Sequence, residues 1–204
     1  RETGAHSRPG GRPARPTGAA VPDYRRFAIL AVCTANICRS PMIEVLLRAE
    51  LDPKLFESAS AGVQGWDRQP MDAMAAMELM RLGHTPGKFR SHAIDSYLVN
   101  SADLILTATK AHRSDVLALN PRALRRTFTL VEFAALCEKV DGVSPSELVA
   151  EAARQRSLSP AKIDIGDPYR RSPEIHRQTA DQIAAAVRTI SARLNTLAKV
   201  AQDI

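Results

Sequence analysis

Apolar positions along the chain come as short unbroken runs separated by stripes at helical spacing. Residues 27–32 form an apolar run rich in branched side chains, the pattern of a buried strand. From Pro41 onward, Ile43, Leu46, Leu47 and Leu51 recur at helical spacing, and Pro53 lies beyond that helix's end. Ser40 before Pro41 reads as an N-cap with proline at the first helical position. Residues 56–61 predict a second strand ending at Gly62. Asp72 opens a helix with Met74, Met77 and Met80 on its inward face as core packing, closed by Gly83. A loop with Pro86 and Gly87 follows, then a short helix near residues 94–98. Residues 102–107 predict a third strand, 112–119 a helix ended by Asn120-Pro121, and 127–131 a fourth strand. Ser144-Pro145-Ser146-Glu147 reads as a capping box opening a helix to about Arg156. Ser172-Pro173 caps a long last helix striped by Ile183, Val187, Ile190, Leu194 and Leu197. Strands alternating with helices predict an α/β fold: a four-stranded parallel sheet in a three-layer arrangement, with helices on both faces. In such sheets the ligand site lies beyond the carboxyl ends of the strands.

Composition changes this picture mainly at the start. Residues 1–24 are Gly, Pro, Arg, Ala and Thr with almost nothing to bury, so residues 1–25 are predicted to form a disordered basic tail. Residues 26–204 are long enough for one domain with a substantial core. The net charge of +6 is uneven: residues 1–26 hold six arginines against Glu2 and Asp23, leaving the remainder at +2. A nucleic-acid surface is therefore not expected despite the high pI. Arg25-Arg26 before an apolar run raises the idea of a twin-arginine or lipoprotein export signal. The run is short, capping residues follow at once, and branched Val32 stands where a processing site prefers a small residue. No stretch is long enough to span a membrane. Three cysteines make no disulfide framework, and a nucleophilic cysteine wants a reducing compartment, so the expected location is cytoplasmic.

The candidate chemistry gathers where the first strand ends, in the run Cys33-Thr34-Ala35-Asn36-Ile37-Cys38-Arg39-Ser40-Pro41. Backbone N–H groups of a tight loop, and those of the helix it opens, converge where an anion is favoured. Arg39 adds a planar fork matching two phosphate oxygens. Cys33 at the strand end faces that positive field, which favours a thiolate, so nucleophile and phosphate cradle share one loop. Asn36 tolerates the left-handed turn such a loop needs. The Ser40 hydroxyl can donate to the Cys33 sulfur. Asp167, in Gly166-Asp167-Pro168-Tyr169, reads from sequence alone as a turn residue, with Asp164 nearby as a rival carboxylate. Cys38 is either a packed thiol or the partner of Cys33 in a reversible disulfide, and a zinc site at the pair lacks a second pair of ligands. Cys137 reads as core. The five histidines are scattered, and none is needed as a base.

That loop, together with Ser60-Ala61-Gly62 and Asp167-Pro168-Tyr169, resembles the low-molecular-weight protein tyrosine phosphatases over about residues 27–198. The resemblance implies hydrolysis of phosphotyrosine through a phosphocysteine, with no metal and no cofactor. It implies Cys33 as nucleophile, Arg39 as clamp, and Asp167 as the acid that protonates the leaving phenolate and later activates water. Thr34, Ala35, Asn36, Ile37, Cys38 and Ser40 would cradle the phosphate, with Ser60 bracing Asn36. Trp66 and Tyr169 would wall a slot deep enough to favour phosphotyrosine over the shorter phosphoserine. Ile37 fits that substrate, because members acting on phosphoarginine tend to have threonine there. Implied partners are phosphotyrosine proteins, a bacterial tyrosine kinase among them, with phosphate and other oxyanions as inhibitors. Three positions depart from many relatives: Arg170 replaces a second tyrosine, Phe89 lies near their histidine, and Thr109 stands where an acidic residue follows the third strand. The Ala- and Arg-rich usage points to a bacterial source. A thiol-dependent arsenate reductase uses the same loop but needs two further cysteines, and residues 71–119 contain none. A binding module without turnover would be expected to lack Cys33, Arg39 or Asp167.

Overall fold

A computed structural model describes residues 25–65 and 68–202, so the tail over residues 1–24 and Trp66 lie outside the described residues. The chain runs β1 (Phe27–Cys33), α1 (Arg39–Glu50), β2 (Phe56–Gly62), α2 (Ala73–Arg81), α3 (Ser96–Ser101), β3 (Leu104–Thr107) and α4 (Lys110–Leu119). A 3-10 turn (Pro121–Arg126) leads to β4 (Thr127–Thr129), α5 (Leu130–Cys137), α6 (Pro145–Arg154), a second short turn (Arg156–Leu158) and α7 (Pro173–Gln202).

The four strands are all parallel, in the order β2-β1-β3-β4. Side chains alternate across the sheet, as the strand period requires. Ile29 and Ala31 of β1 and Leu104 and Leu106 of β3 join the larger core with α1, α2, α5 and α7. Leu30, Val32 and Ile105 join the smaller one, with Val99 of α3, Val116 of α4 and Ala123. Both faces are therefore covered, which is why the strands read as apolar runs. The α7 stripe foreseen in the sequence is buried along its whole length, from Ile183 to Leu197. β1 pairs with β2 so that Cys33 stands opposite Gly62, and the two strands deliver their carboxyl ends to one place. Among the described residues no helix is long and apolar enough to cross a membrane.

Three local expectations are corrected. Ser40 is not the N-cap: α1 starts at Arg39, Cys38 holds the cap position, and no side chain caps the helix. The Ser40 hydroxyl is engaged inside the loop instead. β4 ends at Thr129, because Thr129 and Glu132 form a capping box that draws Leu130 and Val131 into the first turn of α5. Two of the three α2 methionines do not face inward: Met77 and Met80 are 56% and 57% exposed and Met74 is half-buried, while Ala75, Glu78 and Leu79 are buried. Buried Glu78 pairs with Arg81, which reaches Asp181 of α7. The inward row thus contains a carboxylate that an apolar count passes over. The ends of α2 follow the sequence reading, with Asp72 accepting from the Met74 and Ala75 N–H groups and Gly83 closing the helix at φ 86.

Candidate active site

The loop between β1 and α1 is held by one asparagine. Asn36 sits at φ 58, in the left-handed region that asparagine tolerates. Its buried amide donates to Ser40 Oγ at 2.9 Å and Ser60 Oγ at 2.8 Å, and its Oδ1 accepts from the His92 N–H at 2.8 Å. Ser60 in turn donates to Glu44 Oε2 at 2.5 Å, and the other Glu44 oxygen pairs with Arg48. Ser40 Oγ lies 3.0 Å from Cys33 Sγ. Asn36 donates into Ser40, so the one serine proton is shared between Ala61 O, 3.3 Å away, and the Cys33 sulfur.

The loop carbonyls are turned outward. Those of Cys33, Thr34 and Ile37 accept from the N–H groups of Val63, Gln64 and Asp72 at 3.0, 2.9 and 2.8 Å. Among the described residues nothing accepts from the N–H groups of residues 34–38, which leaves them to an anion in the concavity. Gly62 makes this closeness possible. A Cβ there would stand 2.6 Å from Thr34 O and 2.9 Å from both Ala35 C and Asn36 N.

Arg39 is 4% exposed. Its Nη1 donates to Ile165 O at 3.0 Å, and its Nη2 donates to Thr34 Oγ1 at 3.3 Å and pairs with Asp167 Oδ2 at 3.1 Å. Its Nε is buried and has no partner among the described residues. An unmade bond from a buried cationic donor is costly, so a ligand oxygen belongs there.

The segment carrying Asp167 crosses the carboxyl ends of β3 and β4. Thr129 Oγ1 donates to Ile163 O at 2.8 Å, and the Ile165 N–H donates to Ala108 O at 2.9 Å. Asp164, the rival carboxylate, accepts from the Lys110 N–H at 2.8 Å and serves the start of α4. Asp167 Oδ1 accepts from the Tyr169 N–H at 3.2 Å, while Oδ2 faces Arg39. A cavity of about 170 Å³ lies between Cys33, Ile37, Arg39, Gln64, Asp167 and Tyr169. Larger hollows along β2 and beside residues 83–95, of about 500 and 1150 Å³, do not touch Cys33.

Two titrating groups flank the pocket. Burial, reinforced by the charges of Asp72, Cys33 and Asp167, pushes the Cys38 thiol up, so it stays protonated. Burial first, then Arg39, holds His112 below the ordinary histidine range. The structure thus gathers Cys33, residues 34–40, Ser60, Asp167 and Tyr169, while Trp66 is outside the described residues. Sequence reasoning passed over Glu44, Gln64 and His112, and named Gly62 and Thr109 without giving either a role at the site. The signals were the glycine closing Ser60-Ala61-Gly62, a glutamate one helical turn after Ser40, and a histidine three residues after a capping threonine.

Residues 28–148 match the family model described as low molecular weight phosphotyrosine protein phosphatase. The chain is 36% identical over 104 residues to a probable low molecular weight protein-tyrosine-phosphatase, EpsP, of Ralstonia solanacearum, covering 51% of this chain and 70% of that one. It is 28% identical over 170 residues to a protein-arginine-phosphatase of Geobacillus stearothermophilus, covering 83% and 97%. Among solved structures, the tyrosine phosphatase Wzb from Escherichia coli K30 in complex with sulphate matches with a TM-score of 0.66 at 25% identity, covering 83% of this chain and 99% of that one. On the loop, its supports and these matches, the chain belongs to the low molecular weight phosphotyrosine protein phosphatase family.

Proposed function

We propose that the protein hydrolyses phosphotyrosine in other proteins, with Cys33 as nucleophile, Arg39 as clamp and Asp167 as general acid. One observation carries the reading: the Cys33 sulfur, the unpartnered Arg39 Nε and the Asp167 carboxylate meet around one small cavity. The phosphate group replaces Asp167 on Arg39 and takes the Nε–H and the loop N–H groups as charge spreads over its equatorial oxygens. Cys33 Sγ attacks phosphorus in line as the bond to the phenolic oxygen breaks, and Asp167, entering this step in its acid form, gives that oxygen its proton and is left as the carboxylate. The Asp167 carboxylate then removes a proton from the water that attacks the phosphocysteine. The S–P bond breaks, and the Ser40 hydroxyl donates to the departing thiolate.

Ile37 and Tyr169 present apolar surface to the leaving group, which suits a phenol ring. A second reading, hydrolysis of phosphoarginine, is favoured by the similarity along nearly the whole length of a protein-arginine-phosphatase. Ile37 speaks against it, since it supplies no hydroxyl where phosphoarginine-acting members tend to have threonine. The partners in this reading are phosphotyrosine proteins, a bacterial tyrosine kinase among them, and phosphate and other oxyanions compete for the cradle. Residues 26–204 act as one phosphatase domain in a bacterial cytoplasm, where a reducing medium keeps the free Cys33 active.

The test compares wild type, Cys33→Ser and Asp167→Ala on p-nitrophenyl phosphate, a phosphotyrosine peptide and a phosphoarginine peptide. Turnover should vanish with Cys33→Ser, and the phosphotyrosine peptide should be the better peptide substrate. Turnover surviving Cys33→Ser overturns the mechanism, and preference for phosphoarginine overturns the substrate. Arsenate-dependent consumption of thiol would instead mark a reductase.

A further inference from the structure

We propose that His112 is a positioning residue for Arg39, acting through the hydroxyl of Thr34. The inference rests on the phosphatase reading of the Cys33 loop and names a device that keeps its clamp in place.

The donor count gives the relay a direction. A guanidinium only donates, so the bond between Arg39 Nη2 and Thr34 Oγ1 uses Thr34 as acceptor. The single Thr34 proton is then available to His112 Nε2, 2.9 Å away. Nε2 accepts it only in the neutral ring whose proton lies on Nδ1, and Nδ1 stands 3.0 Å from Thr109 Oγ1. Thr109 Oγ1 also accepts from the His112 N–H at 3.3 Å, which seats the histidine in the first turn of α4. With the ring proton assigned to Nδ1, the order is Arg39 to Thr34 to His112 to Thr109, every bond pointing the same way. His112 is only 6% exposed and does not line the cavity, so it touches no substrate.

The relay matters most once substrate is bound. Phosphate displaces Asp167 from Nη2, and the described protein acceptors left to Arg39 are Ile165 O and Thr34 Oγ1. These two contacts set the plane of the guanidinium and hence the direction of its Nε–H. Four charged groups face His112: Arg39 from the start of α1, Asp115 from its own helix, and Asp164 and Asp167 from the segment before α7. Burial and Arg39 outweigh the three carboxylates and keep the ring neutral. A protonated ring would present an N–H to Thr34, reverse the relay and add a second positive charge behind Arg39.

The test measures kcat, KM and their pH profiles on p-nitrophenyl phosphate, with melting temperatures, for Thr34→Val, Thr34→Ser, His112→Asn, His112→Gln and the double variant Thr34→Val/His112→Asn. Thr34→Val and His112→Asn should each lower kcat about tenfold, the loss expected for one hydrogen bond to a charged group. The double variant should be no worse than either single one, since both break the same chain. Thr34→Ser restores the hydroxyl, and His112→Gln places an amide oxygen near the Nε2 position; both should recover kcat. The Gln variant should also lose the acid limb that His112 contributes to the pH profile. Full multiplication of the two single effects, or a lowered melting temperature with unchanged kcat and pH profile, overturns the proposal. Inactive wild type, or turnover that persists in Cys33→Ser, would instead overturn the phosphatase reading beneath it.

Discussion

Gly62→Ala is a substitution of one methyl group that should cripple the site from behind. Its Cβ would sit 2.6 Å from Thr34 O, so this oxygen must withdraw by about 0.8 Å to reach an ordinary 3.4 Å contact. Gly62 cannot retreat instead. Its N–H donates to His92 O and its carbonyl accepts from the Ile94 N–H, both at 2.9 Å. The atoms in the way are backbone of residues 34–36, which no rotamer change moves aside. Displacing a cradle by this distance costs about 10²-fold in rate, and such overpacking costs about 1–3 kcal/mol of stability. Steady-state kinetics on p-nitrophenyl phosphate should therefore show kcat/KM down by about 10²-fold, with a melting temperature several degrees lower. Wild-type kcat/KM in this variant would refute the claim that the approach of β2 shapes the phosphate loop.

Asp167→Asn should lose about 10²–10⁴-fold on a phosphotyrosine peptide and clearly less on p-nitrophenyl phosphate, whose leaving group departs readily as an anion; equal losses on both would exclude Asp167 as the acid. Asn36→Ala removes three hydrogen bonds and places alanine at φ 58, so it should cost about 1–3 kcal/mol in denaturant unfolding and lower kcat as the loop relaxes. Unfolding curves that superimpose on wild type would contradict this account of the loop. His112 is held below its ordinary value of 6.5, so just below that pH the unfolded chain binds more protons than the folded one. Its contribution to stability is whole above pH 6.5 and falls as pH drops toward the depressed folded value. His112→Gln should flatten that part of the melting-temperature profile, and an unchanged profile would count against the assignment.

Much of the architecture was legible because each signal was local. The apolar run entering Cys33, the capped start of α2 and the stripe of α7 are patterns within one element, and neighbouring residues suffice to read them. Ser40 shows where local reading fails. Serine before proline has the form of an N-cap, but the hydroxyl lies against the Cys33 sulfur inside the loop, and the helix starts two residues earlier. Thr129 has the opposite history: a β-branched residue in an apolar run reads as mid-strand, while its side chain is already capping the next helix. His112 was invisible for a different reason. Its partner Thr34 lies 78 residues away, and only the pairing of β1 with β3 brings the two strand ends together. Gly62 reads as the end of a strand until the sheet register sets it against the loop.

Trapping the phosphorylated enzyme tests the central claim most directly. Wild type mixed with radiolabelled phosphotyrosine peptide, quenched in an alkaline denaturant within one turnover and digested without acidification, should carry phosphate on the peptide containing Cys33. The label should disappear with Cys33→Ser while remaining in Cys38→Ser. Turnover without any labelled intermediate, or a label that persists when Cys33 is replaced, would contradict nucleophilic attack by this sulfur.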